Sequence, residues 1–588
     1  MELLLSCQNL EKSFGAKNLF TSLNFSVHAQ DRIGMVGPNG SGKSTLLKII
    51  YDLEPQTSGK IAKRSGLKIA YVPQEESFSK ESIFSILMKT KSPLIDEYEY
   101  ERAVYSMIEK CGFPDGDQAA NSLSGGYQKR LSFAKAWIQE PDLILFDEPT
   151  NHLDLDTLFW LEETINQLKC SFITVSHDRC FLENTCNKII EINKKYPKGC
   201  FIVDGPYHEY LNRKESFFEA NQQLEQHLKS KLKKEIEWLR TSPKARTTKA
   251  VSRIKDANAL KAQFSTIKTQ NKNLQLDLAF ESSKRETKKL ISIKNLTKSY
   301  QDRTLFKGID LNISPATRLG ILGFNGSGKT TLLKIIAGEI SQDMGTIKYA
   351  DDLKIVYFKQ NREIFEKVDT LRNVLSPNSD FVNFMGKSTH INGFCKAIGF
   401  EPTDLDMPCF KFSGGEKARA LIGKLMLEKA DILLLDEPTN DLDMETLDIF
   451  LDVLKTYEGA ILVISHDRFF LDAVCTEMIG IGIDESPQFF SDFESFQEAA
   501  LEKKSQKKLI KTVIDKPIKP SFQQEKKRLN VVINKISSLE KEIASLTDQL
   551  NNASDAKIFN EKCEAISKKQ KELDALMTEW ESLEDLIN

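Results

Sequence analysis

The chain has 588 residues, too many for one hydrophobic core, and at roughly 100–200 residues per domain this length predicts three to five domains. Hydrophobic residues make up 40% of the sequence and charged residues 28%, which is usual for a water-soluble globular protein. Because the formal net charge is only −3, the chain as a whole predicts no polyanionic partner, and any such signal must be local.

The cysteines and the apolar segments exclude further classes of protein. Ten cysteines spread from Cys7 to Cys563 contain no CxxC pair, which argues against a zinc ribbon, an iron–sulfur cluster or a disulfide framework and fits a reducing cytosol. The apolar run at the start is too short for a secretory signal. No stretch reaches the about 18 uninterrupted apolar residues that a membrane-spanning helix needs. We therefore expect a cytoplasmic protein without a membrane-spanning part.

The first functional segment is glycine-rich and covers residues 37–45. It follows the strand-like run RIGMV and precedes the helical run LLKII, which is the context that a phosphate-binding Walker A loop requires. Backbone N–H groups of such a loop surround the phosphates, Lys43 is expected to reach the β- and γ-phosphates, and Ser44 is expected to bind Mg²⁺. The predicted loop consists of Gly37, Pro38, Asn39, Gly40, Ser41, Gly42, Lys43, Ser44 and Thr45.

An acidic pair and a histidine follow two further apolar runs. Asp147 ends the run LILF and is predicted to hold the Mg²⁺ shell, while Glu148 is predicted to polarise the attacking water as a general base. An acidic pair that only caps the next turn is the alternative. His177 follows the run SFITV; alone it would more often be structural, but its recurrence in a second copy favours a contact with the γ-phosphate.

The next segment is helical and basic. Apolar residues three to four positions apart predict an amphipathic helix over about 210–239, a Ser-Pro break ends it, and a second helical pattern at 251–267 completes a helical hairpin. Between residues 240 and 272, nine Lys or Arg stand against one acid. This charge is either a solvated helix face or a surface that contacts the phosphates of structured RNA. The candidate contacts are Arg240, Lys244, Arg246, Lys249 and Arg253.

The motifs then return in the same order. The second glycine-rich loop begins 286 residues after the first, and the acidic pair and the histidine return after 289 residues. This repeat predicts a duplicated domain over 1–210 and 289–500, with the hairpin at 211–288 between the copies. The second loop consists of Gly323, Phe324, Asn325, Gly326, Ser327, Gly328, Lys329, Thr330 and Thr331, and the second acidic pair and histidine are Asp436, Glu437 and His466.

The C-terminal region has a third pattern. A Lys-rich linker covers 501–524, and apolar residues at alternating spacings of three and four over 525–588 predict an antiparallel coiled-coil hairpin. Residues 503–528 carry ten basic residues against two acids, whereas 529–588 carry twelve acids against seven lysines. The linker is therefore the stronger candidate for contact with DNA, and packing of the hairpin on its own chain or on a protein partner is the alternative.

The segments LSGGYQKR and FSGGEKAR narrow the class of phosphate-binding protein. With them the chain resembles the ATP-binding-cassette family. The resemblance implies an α/β fold with two tandem P-loop cassettes, which pair head-to-tail and hold ATP between the Walker A loop of one and the signature segment of the other. It implies one site formed by Lys43 with Ser413, Gly414 and Gly415, and a second site formed by Lys329 with Ser124, Gly125 and Gly126.

The resemblance also assigns the remaining site residues. Phe14 and Tyr300 match the aromatic residue that stacks on adenine, and Asp154 and Asp443 match the loop that crosses the cassette interface. Gln74 and Gln360 match the Q-loop. The implied Mg²⁺ ligands are Ser44, Gln74, Asp147, Thr330, Gln360 and Asp436.

Two positions depart from the family pattern. Tyr127 and Phe412 replace the usual residues of the two signature segments. Neither change removes a phosphate contact, so both sites are expected to hydrolyse ATP. The choice of ATP over GTP rests on the family resemblance.

Two cassettes joined by a basic hairpin resemble the ABC-F subfamily, and Tyr127 together with the segment Trp580–Glu584 is similar to its Uup group. The segment that begins at Glu237 is similar to that subfamily's interdomain linker, which reaches into the ribosome. The resemblance implies a ribosome-associated ATPase that acts in translation or ribosome assembly. A monomer is expected, because the two cassettes can satisfy each other within one chain. The alternatives are an ATPase that acts on branched or damaged DNA through the C-terminal region, and the engine of a membrane transporter, which does not need a basic hairpin between its cassettes.

Overall fold

The computed structural model shows two compact units, Met1–Ala499 and Ala500–Asn588. Both copies of the repeat lie in the first unit. The structure describes residues 2–15, 17–91, 96–151, 153–196, 198–241, 258–261, 263–265, 267, 289–300, 303–358, 370–384, 387–412, 414–440, 442–482, 486–500, 502–503, 523–551 and 556–587.

The first copy is built on a six-stranded sheet that is buried on both faces. Its strand order is β5-β6-β7-β3-β8-β9, and all pairs are parallel except the last. The strands are Arg32–Val36 (β3), Ile69–Val72 (β5), Leu143–Asp147 (β6), Ser171–Val175 (β7), Lys188–Ile192 (β8) and Cys200–Asp204 (β9).

The uninterrupted apolar runs have a physical reason in this sheet. Leu143 and Leu145 of β6 face one core cluster, whereas Ile144 and Phe146 face another on the opposite side. A parallel strand that is covered by helices on both faces needs apolar residues at every position, rather than at every second one. The sequence LILF meets this requirement.

A smaller antiparallel sheet covers the first copy. Its strands pair in the order β2-β1-β4. They are Leu3–Phe14 (β1), Lys17–His28 (β2) and Ser58–Lys63 (β4). Phe14 is the last residue of β1 and lies next to the turn into β2.

The second copy repeats both sheets, as the sequence predicts. The larger sheet has the order β14-β17-β18-β12-β19-β20 and the smaller one has the order β11-β10-β13. A separate hairpin pairs β15 with β16. The strands are Ile291–Tyr300 (β10), Arg303–Ile313 (β11), Arg318–Gly323 (β12), Met344–Tyr349 (β13), Ile355–Phe358 (β14), Phe381–Phe384 (β15), Lys387–His390 (β16), Ile432–Asp436 (β17), Ala460–Ile464 (β18), Glu477–Ile481 (β19) and Gln488–Phe490 (β20).

Helices cover the two large sheets and begin at the functional segments. Those of the first copy are Lys43–Ile50 (α1), Ile83–Met88 (α2), Glu97–Lys110 (α3), Gly125–Trp137 (α4), Leu155–Gln167 (α5) and Arg179–Thr185 (α6), followed by Tyr207–Thr241 (α7). Those of the second copy are Lys329–Ile336 (α8), Leu371–Leu375 (α9), Ile391–Ala397 (α10), Gly414–Leu427 (α11), Met444–Thr456 (α12) and Arg468–Val474 (α13). Helices α1, α5 and α6 follow site segments at the ends of the buried strands β3, β6 and β7, whereas α4 starts at the signature segment, which follows α3.

The long helix α7 contains the first helix predicted for the interdomain linker. The described residues of the second predicted helix, 258–261, 263–265 and 267, are helical. The predicted tip residues Lys244, Arg246, Lys249 and Arg253 lie outside the described residues, as does the side chain of Arg240. None of the helices in the described part of the chain combines the length and apolarity that crossing a bilayer requires.

The second unit contains two long helices that pack against each other, Gln523–Asn551 (α14) and Ala556–Ile587 (α15). Val532 is buried, and Lys569 forms an ion pair with Glu542. Most of the predicted basic linker 501–524 lies outside the described residues. The coiled-coil geometry of the helix pair and the division of the chain into five segments stay predictions.

Candidate active site

Both Walker A loops have a backbone that only glycine adopts easily. Gly42 and Gly328 precede α1 and α8 with φ angles of 95° and 99°, in the left-handed region. A Cβ atom at Gly42 would lie 2.9 Å from the Phe20 ring, and one at Gly37 would lie 2.4 Å from the carbonyl oxygen of Ile192. The loop is therefore held close to the sheet, with the first amide groups of the helix behind it.

The two loop lysines are buried and bonded to their own loops. Lys43 Nζ donates to the carbonyl oxygens of Gly37 (2.7 Å) and Pro38 (3.1 Å). Lys329 Nζ repeats the first of these contacts with Gly323, at 2.8 Å. Burial lowers the pKa of Lys43, although Glu148, Asp443 and Asp147 act to raise it. A phosphate group would supply the negative partner that each buried lysine needs.

Unsatisfied hydroxyl groups show that the loops fit a phosphate ligand. The Oγ atoms of Ser41 and Ser327 are buried and have no hydrogen-bond partner among the residues that the structure describes. Buried hydroxyls are normally bonded, so each of these two lacks an acceptor that a phosphate oxygen would provide. The same feature occurs in both copies.

Two of the predicted Mg²⁺ ligands of each cassette lie in contact. Ser44 Oγ donates to Asp147 Oδ1 at 2.7 Å, and Thr330 Oγ1 donates to Asp436 Oδ1 at 3.3 Å. A hydroxyl and a carboxylate are the oxygen ligands that Mg²⁺ prefers beside substrate phosphates. When bound, the ion neutralises negative charge on those phosphates.

Two tyrosines that the sequence analysis missed hold these aspartates. Tyr71 and Tyr357 donate their hydroxyls to the second carboxylate oxygens of Asp147 (3.1 Å) and Asp436 (3.2 Å). Each tyrosine stands three residues before the Q-loop glutamine of its copy. This recurrence at the repeat distance was the signal that could have identified them.

Both predicted general bases sit on a strained backbone. Glu148 and Glu437 have φ angles of 48° and 49°, a conformation that costs a residue with a side chain roughly 1–2 kcal/mol. Backbone bonds from Glu148 N to Val175 O (3.0 Å) and from Glu437 N to Ile464 O (2.9 Å) hold them in this position. Backbone strain of this kind is often found where a side chain must be held in one orientation at a functional site, and here it occurs at both positions.

The predicted histidines lie beside these carboxylates. His177 Nε2 is 3.8 Å from Glu148 Oε1, and His466 Nε2 is 3.2 Å from Glu437 Oε1. Burial lowers the pKa of His177 to about 3 and that of His466 to about 4, so both rings are neutral near pH 7. A neutral imidazole has one N–H donor, which suits a phosphate contact. Gln74 Nε2 donates to Glu148 Oε2 at 3.0 Å.

The ionisation of Glu437 suits a base that acts near neutral pH. Burial raises the pKa of its carboxyl to about 8, and Lys329 opposes that rise. A general base is most effective when its pKa lies near the working pH.

The two copies meet head-to-tail at the first Walker A loop. Asn39 N donates to Asp443 Oδ2 of the second copy at 2.9 Å. A Cβ atom on Gly415 would lie 3.5 Å from Asn39 Nδ2, so the second signature segment borders the first loop. Ser413 lies outside the described residues, and of Gly414 only the backbone is described. The structure thus brings Lys43, Asp443 and Gly415 together.

The second site lies in a cavity between the two copies. A cavity of about 600 Å³ is lined by Tyr300, Lys329, Glu437 and His466 of the second copy and by residues of the first copy, including Glu148 and His177. Asp154 acts electrostatically on Lys329 and His466 across the interface.

The first signature segment lies less close to its partner loop than the second one does. The atoms nearest to a Cβ on Gly126 belong to Thr157 and Asp154 of its own copy. Gln360, the remaining predicted contact of the second site, lies outside the described residues.

The predicted adenine-stacking residues have accessible rings. Phe14 is 52% exposed and Tyr300 is 49% exposed. A lysine approaches each ring, Lys12 Nζ at 4.6 Å from the Phe14 centroid and Lys298 Nζ at 5.4 Å from that of Tyr300. Large exposed aromatics at matching positions of both copies suit base stacking.

A reciprocal pair of arginines, also missed by the sequence analysis, crosses the interface. Arg179 forms an ion pair with Asp448 at 2.5 Å and lies 4.4 Å above the Phe469 ring. Arg468 forms an ion pair with Glu162 and lies 5.5 Å from the centroid of Phe159. Both arginines follow the predicted histidines by two residues, so the repeat again carried the signal.

The contact between Asn39 and Asp443 gives a testable prediction. Asp443 and Asp154 both cap a helix, by accepting from Thr446 N and Thr157 N, but only Asp443 also bonds a Walker A amide among the described residues. Since a hydrogen bond to a charged group contributes about 1.5–3 kcal/mol, Asp443→Ala should weaken apparent ATP affinity on the order of tenfold more than Asp154→Ala. ATP titration of the two variants measures this difference, and equal losses would contradict it.

Comparisons with known proteins support the cassette fold. The sequence pattern of the family described as "ABC transporter" matches residues 20–151 and 306–440, and that of the "ABC transporter C-terminal domain" matches residues 521–585. A solved structure of the archaeal ribosome recycling factor aABCE1, in complex with the stalk protein aP1, has a TM-score of 0.55 at 20% identity, over 82% of this chain and 89% of that one. This last likeness shows the fold alone.

Three curated relatives cover most of the chain. "Uncharacterized ABC transporter ATP-binding protein YfmR" of Bacillus subtilis is 30% identical over 99% of both chains. "ATP-binding protein Uup" of Caulobacter vibrioides is 31% identical over 83% of this chain and 79% of its own. "Energy-dependent translational throttle protein EttA" of Haemophilus influenzae is 29% identical over 82% and 94%, respectively.

The duplicated cassettes match a family pattern, the C-terminal region matches a second one, and the relatives align over most of their length. The fold and the ATP and Mg²⁺ requirement expected from the resemblance are therefore confirmed. The chain belongs to the ABC-F subfamily of ATP-binding-cassette ATPases, enzymes that hydrolyse ATP, and it is Uup-like.

Proposed function

We propose that closure of the two cassettes on ATP controls binding of this protein to the ribosome, in translation or in ribosome assembly. The observation that carries the proposal is the head-to-tail contact of Asn39 with Asp443, made within one chain whose first cassette continues into the helix α7. Binding of ATP in the site at Lys43 would stabilise this contact and with it the arrangement that presents the linker.

The catalytic roles belong to the same proposal. Glu148 and Glu437 polarise the attacking water, and His177 and His466 contact the γ-phosphate. Lys43 and Lys329 bind the β- and γ-phosphates. Hydrolysis cleaves the γ-phosphate from ADP. The two cassettes then no longer share one intact ATP molecule, so they reopen.

The charge of the linker supports a ribosomal partner. Lys229, Lys231 and Lys233 are exposed on the second half of α7, which precedes the basic segment at 240–272 in the chain. Clustered lysines and arginines with few aromatics suit the phosphate backbone of structured RNA. One relative is named as a translational throttle protein, which favours the same partner. Action on ribosomes would place the protein in the cytoplasm.

Co-sedimentation with ribosomes tests the proposal. The variant Glu148→Gln, Glu437→Gln retains its ATP ligands but lacks both bases, so in ATP it should remain closed and accumulate on ribosomes. Changing Lys244, Arg246 and Lys249 to Glu in the same background should abolish this accumulation, because the contacts would be to phosphates.

A matched control separates the C-terminal region from the linker. The same double variant without residues 501–588 should still sediment with ribosomes. If the full-length double variant stays off ribosomes and instead shifts branched DNA in a manner that depends on 501–588, the proposal is wrong and the DNA alternative replaces it.

A further inference from the structure

A buried polar cluster lies where α7 leaves the first cassette. Glu191, in β8, is 2% exposed. Its carboxylate accepts hydrogen bonds from Tyr196 (2.6 Å), Tyr210 (2.7 Å) and Lys214 (3.2 Å). Tyr210 and Lys214 lie on the first two turns of α7. The cluster therefore bonds the base of this helix to a strand of the ATPase sheet.

The charge of Glu191 is maintained despite its burial. Burial alone would raise the pKa of this carboxyl, but Lys214 and the hydroxyls of Tyr196 and Tyr210 outweigh that effect and the pKa is lowered. A buried carboxylate whose partners are removed is strongly unfavourable. The position of α7 is thus tied to that of β8.

The same region touches the first Walker A loop. A cavity of about 400 Å³ is lined by residues of that loop, from Pro38 to Ser41, and by Asn193, Lys194 and Tyr196. The segment that supplies Tyr196 to the cluster therefore borders the loop that holds Lys43. The loop and the cluster are thus close enough for a change in one to act on the other.

The second cassette also reaches the base of α7. Met444 and Glu445 directly follow Asp443, which accepts the bond from the first Walker A loop. Tyr207 OH, at the start of α7, donates to Met444 Sδ at 3.3 Å. Lys195 Nζ pairs with Glu445 at 3.4 Å. Opening of the site at Lys43 would break these contacts together with that of Asp443.

Among the residues that the structure describes, the duplicated cassette has no such cluster. Glu191 pairs with Val36 in the first sheet, and Gly480 pairs with Leu322 at the same place in the second. The residues that correspond to Tyr207 and Tyr210 are Phe493 and Phe496, whose rings pack on each other with centroids 5.9 Å apart. Within the described part of the chain, the polar cluster thus occurs only in the copy that carries the linker helix.

We propose that Glu191, Tyr196, Tyr210 and Lys214 are positioning residues that couple closure of the ATP site at Lys43 to the linker helix α7, and that the site at Lys329 has no equivalent coupling. The inference rests on the proposed function in that it specifies how ATP would direct the linker. The test is made on the isolated protein without ribosomes. A failure of the proposed coupling is therefore distinguishable from a failure of the protein to bind ribosomes.

Hydrogen exchange of the full chain, measured by mass spectrometry, tests the coupling. In the Glu148→Gln, Glu437→Gln background, ATP and Mg²⁺ should slow exchange in the peptides that cover 207–214 by on the order of tenfold. Adding Tyr210→Phe and Lys214→Met should remove this ATP-dependent change, while ATP affinity stays the same. Phenylalanine fills the matching position of the second cassette, so the substitution suits the core; Tyr196→Phe is a second variant should the first fail to fold.

The outcomes separate coupling from a merely structural role. If the variant exchanges faster by the same factor with and without ATP, or if it keeps the full ATP-dependent change, the proposal is overturned. The site-specific part uses a matched pair. Lys43→Met should abolish the change at 207–214 and Lys329→Met should retain most of it, whereas equal effects would overturn the assignment to one site.

Discussion

Replacing Glu148 and Glu437 together by glutamine is expected to lower kcat for ATP hydrolysis by roughly 10²–10⁴-fold, the usual contribution of a positioned general base. Glutamine keeps the size of the side chain and can still accept the bond from Gln74, but it cannot take a proton from water. Because neither residue is a predicted phosphate ligand, ATP affinity should stay near that of the parent. Phosphate release and equilibrium binding of ATP measure the two quantities separately.

The chain offers a matched control for this prediction. Glu140 also has a left-handed backbone, with a φ angle of 47°, but it is exposed and does not line the described site. Glu140→Gln should therefore hydrolyse ATP at the parent rate. A double Glu148→Gln, Glu437→Gln variant that retained the parent rate would assign the proton transfer to another group.

The strand ends and phosphate loops could be predicted because their signals are local. The runs LILF and SFITV have no polar residue since the strands that they form are buried on both faces. Position 42 requires glycine because its φ angle is 95° and because a Cβ atom there would collide with the Phe20 ring. Since each such signal occurs twice, the repeat made the prediction of the fold secure.

The contacts between the copies could not be predicted from spacing. Arg468 meets Glu162 only because α13 of one copy faces α5 of the other, and the two residues are 306 positions apart. The partners of Glu191 lie 5, 19 and 23 positions away from it, which matches no helical or strand period. Such polar clusters depend on how packed elements meet, a property that no local pattern carries.

The head-to-tail interface yields the second prediction with a large effect. Arg468→Met should impair ATP-driven closure more than Arg179→Met, although both arginines make one ion pair across the interface. The side chain of Glu162, the partner of Arg468, is 12% exposed, whereas that of Asp448, the partner of Arg179, is 57% exposed. Removing one member of a buried pair costs about 3–5 kcal/mol, and an exposed pair contributes about 0–1 kcal/mol.

In the Glu148→Gln, Glu437→Gln background, apparent ATP affinity should therefore fall by about 10²–10⁴-fold for Arg468→Met and less than about tenfold for Arg179→Met. Burial already raises the pKa of Glu162, while Arg468 opposes that rise. Without the arginine, the cost exists only while Glu162 is ionised, so the defect should shrink as the pH falls towards its pKa. Adding Glu162→Gln should restore most of the affinity at neutral pH, because no unpaired charge remains buried. Equal defects in the two arginine variants, or no recovery on adding Glu162→Gln, would show that aromatic packing rather than charge pairing holds this part of the interface together.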